Sequence, residues 1–228
     1  MIQFIHVGKC AGSSVGTALQ NLSIEFEEFH CGNASTQLAH SIKHNSEHFY
    51  LVTVRDPIAR FVSAFYWDYY EKRVLNDYHG PDNKWKIYYE RFETPNQIAE
   101  ALTSRDSSLR ELAWDYVTNS KLHAEFCISW YIPLAKVKCL HSKNCHVIRT
   151  EHSDRDFLAF LRKFNIDTTS FGGLPREKQN YKHKITNYDT HLSKVSIQNL
   201  KHVYFDDYLI LDGFYRKGLI NRYYKKLR

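Results

Sequence analysis

Long apolar runs are missing from this sequence: no window approaches the roughly 18 uninterrupted apolar residues a membrane span requires, which argues against a transmembrane protein. The first residues, Met1-Ile2-Gln3-Phe4-Ile5-His6-Val7, have no basic leader, extended apolar stretch or small-residue cleavage site, so nothing in them directs export. Cysteine is sparse and odd in number, with Cys10, Cys31, Cys127, Cys139 and Cys145 lacking the paired spacing of a metal site. Reduced thiols and a cytoplasmic location are the expectation. Repeats, low-complexity tracts and linker-like segments are also missing. At 228 residues and 43% hydrophobic content, the chain reads as one domain over 1–228.

The charge excess is small, +6 from 31 basic and 25 acidic residues. It is too mild and too dispersed for a nucleic-acid footprint, so a small anionic ligand is the better match and no nucleic-acid partner is expected. Aromatics are plentiful, with 16 Tyr and 14 Phe, and most of them must be core. Core packing is also the default for Trp67, Trp114 and Trp130, with Trp85 the one tryptophan left open to an acceptor pocket.

Ile2 to Val7 is β-rich and ends at Gly8, after which Val15, Ala18, Leu19 and Leu22 follow helical spacing. Phe49 to Val54 suits a buried parallel strand, and Asp56 with Pro57 opens a helix. That helix carries Ile58, Phe61, Val62, Phe65, Tyr66 and Tyr69 on one stripe and Arg60, Ser63 and Trp67 on another face. Cys145 to Arg149 is a third strand, followed by a helix capped by Ser153 or Asp154. The stretch 76–138 reads as mostly helical, with a further helix over 193–211 and a basic, aromatic terminal helix over 215–228. Strands alternating with helices imply an α/β fold on a parallel sheet.

Two loops carry chemistry. Gly8-Lys9-Cys10-Ala11-Gly12-Ser13-Ser14 joins a strand to a helix with small residues and one lysine, which suits an anion held by backbone amides. A nucleoside-triphosphate P-loop needs four residues between its first glycine and a Gly-Lys pair, and Lys9 comes too early for that. Arg55, at the end of the second strand, is a fork-shaped donor, and Ser63 lies two turns into the next helix; together they can grip a phosphate.

Phe4-Ile5-His6-Val7-Gly8-Lys9-Cys10-Ala11-Gly12-Ser13-Ser14 resembles the 5'-phosphosulfate loop of sulfotransferases that use 3'-phosphoadenosine 5'-phosphosulfate (PAPS), in the branch containing heparan sulfate 2-O-sulfotransferase. That loop commonly reads His-x-Pro-Lys-x-Gly-Gly-Thr-Ser, so Gly8 replaces its proline and Ala11 a glycine. Arg55-Asp56-Pro57 with Ser63 resembles the family's 3'-phosphate motif. The resemblance is strong over 2–70, fainter over 145–212 and absent from 76–138, where acceptor specificity would reside. It implies a P-loop-like three-layer fold with a central parallel sheet of about five strands flanked by helices. It also implies transfer of a sulfuryl group from PAPS to the hydroxyl of a small metabolite, natural product or saccharide, with adenosine 3',5'-bisphosphate as product and no metal required.

On that resemblance, Lys9 stabilises the leaving oxygen with the amides of Gly12, Ser13 and Ser14, and Cys10 is a small loop residue. The branch has a catalytic histidine within a His-Gly-His run between the two motifs, where this chain has His30-Cys31-Gly32-Asn33-Ala34-Ser35. The general base is then His30, with His40 and Glu28 as alternatives and Asn33 also falling near the family position. The late basic loop offers Lys178, Asn180, Tyr181 and Lys182 to the nucleotide. Two rival classes remain: a P-loop nucleotide kinase, and a non-catalytic protein of the same fold that binds sulfated glycans or other polyanions.

Overall fold

The computed structural model describes residues 1–30, 32–44, 47–75, 85–169, 171–177 and 181–221. In chain order its elements are β1 (Ile2–Ile5), α1 (Gly12–Asn21), β2 (Phe26–Phe29), α2 (Ala34–His44), β3 (Phe49–Val54), α3 (Pro57–Tyr69), α4 (Trp85–Arg91), α5 (Pro95–Ala101), α6 (Ser107–Thr118), α7 (Ile128–Tyr131), α8 (Leu134–Val137), β4 (Cys145–Arg149), α9 (Ser153–Lys163), α10 (Lys194–Val203) and α11 (Phe205–Arg216). The chain packs into two compact units. One is built from Met1–Asp56, Ile128–Glu177 and Asp206–Arg228, the other from Pro57–Cys127 and Lys178–Phe205.

The first unit is an α/β body on an all-parallel sheet of order β2-β1-β3-β4. Among the described residues the sheet has four strands where about five were expected. β1 and β3 were legible as apolar runs because both lie inside the sheet, whereas β2 was not. Phe26-Glu27-Glu28-Phe29 is a short edge strand whose two middle residues face solvent, so it has no apolar run to find. Phe4, Leu51 and Ile148 meet Val15 and Leu19 of α1 and Phe157, Phe160 and Leu161 of α9 in one core. From β1 the chain moves outward to β2, then returns past β1 to β3. The winding therefore reverses between β1 and β3, and the crevice beyond their C-terminal ends is where open parallel sheets bind ligands.

The start of α9 differs from the sequence reading. Thr150–His152 form a 3-10 turn, Ser153 is already helical, and no side chain caps the helix. Asp154 instead accepts hydrogen bonds from the Leu174 amide at 2.8 Å and from Arg176 at 2.9 Å. Asp156 turns inward, where its carboxylate takes Nε of Arg149 at 2.8 Å and Nη2 at 2.9 Å. Asp207 of α11, also buried, accepts the amides of Ile128 at 3.0 Å and Ser129 at 2.7 Å and so anchors the start of α7.

The second unit is helical around an aromatic core that includes Phe61, Phe65, Tyr88, Tyr89 and Tyr116; of the stretch 76–138 that reads as helical, 85–127 fall in this unit, 128–138 in the first, and 76–84 lie outside the described residues. Trp85 belongs to that core at 8% exposure, so the tryptophan left open for an acceptor pocket is buried. Arg60 also departs from expectation. It is fully buried, and its guanidinium donates to the carbonyls of His123, at 2.8 Å, and Phe126. Eight residues along, buried Asp68 accepts the His123 amide at 2.9 Å and its Nδ1–H at 2.5 Å. Helical spacing could not foresee that α3 would supply a donor and an acceptor to one distant turn.

The single helix expected over 193–211 is two. Ser193 caps α10 by accepting the Ser196 amide at 3.1 Å. The break falls at Tyr204, whose hydroxyl is anchored on the Ala124 carbonyl at 2.9 Å. Of the expected terminal helix, 222–228 lie outside the described residues. Among the described residues no helix is long and apolar enough to cross a membrane.

Burial pushes the Asp156 carboxyl up, but the hydrogen bonds from Arg149 outweigh it and hold it below the usual aspartate range. A lowered folded-state value adds stability above the unfolded range and loses it as the pH falls through the lowered value. Arg149→Ala strands a buried carboxylate and should cost about 3–5 kcal/mol at neutral pH. The same change should remove part of the acid dependence of stability. Urea unfolding at several pH values measures both, and wild-type stability in the variant would refute this role for the pair.

Candidate active site

The loop Val7–Ala11 leaves β1 at the reversal and feeds α1. Two of its non-glycine residues, Lys9 and Ala11, hold left-handed backbone, with φ of 64° and 61°. Each such residue costs on the order of 1 kcal/mol, a strain that persists only where surroundings impose it, as at ligand sites. The reward is a tight curl that sets Gly12, Ser13 and Ser14 on the first turn of α1 with no side chain capping their amides. Uncapped first-turn amides and the positive end of the helix dipole suit a tetrahedral oxyanion. Gly8 and Cys10 are buried in the wall of the loop, while Lys9 is half-buried at its rim. Arg55 reaches across from the end of β3, its Nη1 donating to the Lys9 carbonyl at 3.4 Å. The reversal thus brings both phosphate-motif cations of the first unit together.

Gly12 is required by its neighbour. A Cβ there would lie 1.7 Å from Cδ2 of His6 and 2.2 Å from its Nε2. The His6 ring is held in turn at Nδ1, which donates to Oε1 of Glu28 at 2.5 Å. His30 stacks on it at 3.9 Å between ring centroids, tilted 14°, with Phe4 on the far side of His6 at 5.6 Å and Tyr131 beyond His30 at 6.1 Å. Nδ1 of His30 donates to the His6 carbonyl at 2.7 Å. A carbonyl can only accept, so the proton sits on Nδ1 and the neutral ring carries its basic lone pair on Nε2. The hydrogen bond from His6 draws the Glu28 carboxyl below its usual range; partial burial opposes this, and the nearby His6 and His30 add to it.

The candidate bases therefore separate. His30 is built into the cluster beside the loop. Glu28 is there too, but its carboxylate is committed to His6. His40 stands apart, exposed on α2 and paired with His44 at 4.5 Å. Ser63 lies half-buried on α3 in the second unit, and its part in the phosphate motif rests on the sequence alone. Lys178 and Asn180 lie outside the described residues. Tyr181 is 6% exposed, packed edge-on to Trp67 at 5.3 Å and against Tyr70, which speaks against a nucleotide-facing ring. Lys182 is exposed, with its ammonium 5.8 Å from the Tyr188 ring centroid. Sequence reasoning passed over His6, and its one signal was its place in the loop motif.

A parallel sheet with an uncapped, cation-rimmed helix start at its reversal defines an α/β protein equipped to bind an oxyanion. A model of the sulfotransferase family matches residues 1–224, and the chain belongs to that family. Membership supports sulfotransfer as its general activity. Neither the curated proteins nor the solved structures contain a significant match to it.

Ala11→Gly removes the left-handed penalty at the position where the motif carries glycine, and should raise stability by about 1 kcal/mol. A denaturation midpoint that stays put or falls would show that Ala11 is not strained.

Proposed function

We propose that this family member transfers a sulfuryl group from PAPS to an acceptor hydroxyl by in-line displacement, releasing adenosine 3',5'-bisphosphate. The observation that carries the reading is the meeting, at one sheet reversal, of the uncapped start of α1, Lys9 and Arg55, and a histidine whose basic nitrogen is set as Nε2. The donor, when bound, supplies the sulfuryl group and a bisphosphate leaving group.

The residues then divide the work. The Lys9 ammonium and the amides of Gly12, Ser13 and Ser14 place positive charge where negative charge develops, the largest contribution such sites make. Arg55, a planar fork donor, suits the second phosphate. His30 accepts the hydroxyl proton at Nε2 while its Nδ1–H stays anchored on the His6 carbonyl, which holds the ring in line without altering the basic edge. The scheme calls for no metal. The likeness of the loop and the His30 segment to the heparan sulfate 2-O-sulfotransferase branch favours a saccharide hydroxyl among the small-molecule acceptors.

Titration calorimetry with adenosine 3',5'-bisphosphate, and separately with magnesium ATP, tests the donor. Micromolar or tighter binding of the bisphosphate without magnesium is expected. Preference for magnesium ATP would make the protein a nucleotide kinase, and bisphosphate binding with no turnover of labelled PAPS across an acceptor screen would make it a binding protein. Arg55→Ala should weaken the bisphosphate about 10- to 100-fold, as loss of a charged hydrogen bond does. His30→Gln should leave that affinity unchanged and lower kcat by about 10²- to 10⁴-fold. Wild-type kcat in His30→Gln would transfer the role to Glu28 or His40. Lys9→Ala should abolish turnover while weakening the bisphosphate only in part.

A further inference from the structure

His6 is fixed more firmly than a motif residue with no task would need. One ring nitrogen is bound to Glu28, one face lies on Phe4, the other on His30, and the Cδ2–Nε2 edge is seated against Gly12 at the first turn of α1. Among the described residues Nε2 has no hydrogen-bond partner, although the side chain is only 12% exposed. That nitrogen lies beside the uncapped amides to which the donor's anionic group is assigned above.

Resting on that assignment, we propose that His6 contacts the donor: Nε2 hydrogen-bonds the phosphosulfate held at the start of α1, and binding draws a proton from solvent onto the ring. Nδ1 already donates its proton to Glu28, so Nε2 can donate only if the ring gains a second proton and becomes an imidazolium. Two anions then face it, the Glu28 carboxylate at one nitrogen and the bound ligand at the other, and each favours the charged ring. The groups that oppose this are Lys9 in the same loop, Arg55 where it reaches the Lys9 carbonyl, and His30 across the stack; Tyr131, beyond His30, is neutral. No bond breaks at the ligand, and the only change is one N–H formed at Nε2.

The arrangement has a consequence for the base. Two imidazoles 3.9 Å apart resist sharing positive charge, so a proton on His6 discourages one on His30. Donor binding would thereby keep His30 neutral at the moment the base is needed. Glu28 in this reading is a positioning residue, orienting and stabilising the charged form of His6.

The test is calorimetric titration of wild type, His6→Asn, His6→Gln and Glu28→Gln with adenosine 3',5'-bisphosphate, from pH 6 to 8 in buffers of different ionisation heat. The ligand's own phosphate ionisations are common to all four proteins, so the readout is the difference from wild type. Wild type should take up more protons on binding than either His6 variant, and its affinity should fall more steeply as the pH rises. His6→Asn, which offers a donor only at the Nδ1 position, should bind about tenfold or more weakly at pH 6. His6→Gln, which offers a neutral donor near Nε2, should recover part of that affinity without its pH dependence. Glu28→Gln should reduce the proton uptake without abolishing binding. Equal proton uptake in wild type and the His6 variants overturns the inference while leaving the donor assignment intact. Failure of wild type to bind the bisphosphate at any pH removes both. Thermal melts check the fold, and should His6→Asn fail to fold, the comparison with His6→Gln and Glu28→Gln decides the matter.

Discussion

The seating of the His6 ring against the backbone of Gly12 is the contact on which the site depends. It allows no side chain at position 12, since a Cβ there would stand 1.7 Å from the ring. It joins the end of β1 to the start of α1 by something firmer than a flexible turn. Because His30 stacks on the same ring and bonds the His6 carbonyl, the residue proposed as base takes its position from the loop proposed to hold the donor. Orientation of this kind, arranged before ligand arrives, is where a transferase without covalent chemistry of its own gains most of its rate.

Elsewhere the protein uses buried charge to set geometry. Arg149 and Asp156 link the end of β4 to the first turn of α9. Asp207 caps α7 from α11, and in the second unit Arg60 and Asp68 hold the His123 turn by its carbonyl, amide and ring. Burying ions is costly, and apolar replacements of equal volume are often as stable, so such contacts are better understood as fixing one arrangement among several than as sources of net stability. One of them, Asp207, fixes the start of α7, a helix of only four residues.

Membership of the sulfotransferase family and the loop geometry constrain the chemistry from different sides. The family match covers 1–224 and so includes both units. Within the first unit, the sheet order alone places the reversal between β1 and β3, and the loop and Arg55 lie at the ends of those two strands. The acceptor is the part that neither constrains. Of the tryptophans that could have marked a pocket, Trp85 lies in the aromatic core of the second unit and Trp67 and Trp114 pack against it.

What the sequence determined by itself was everything governed by local pattern. Apolar runs marked β1, β3 and β4, Pro57 marked the start of α3, and the small residues around Gly8, Lys9 and Gly12 marked a strand-to-helix loop before any fold was known. These signals are legible because each depends on neighbours within a few residues. Tertiary structure alone decided the rest. β2 exists because β1 offers it an edge, the late helix breaks because Tyr204 is tethered to Ala124, and Arg60 is buried because a turn more than sixty residues away presents carbonyls to it. The different surroundings of His30, His40 and Glu28 belonged to the same class. All three fall in one short stretch of chain, and only the stacking of His30 on His6, with Glu28 engaged at the far nitrogen and His40 left on a solvent face, gives them different surroundings. A side chain's protonation and orientation depend on what touches it, and contacts between distant residues are not written in their spacing.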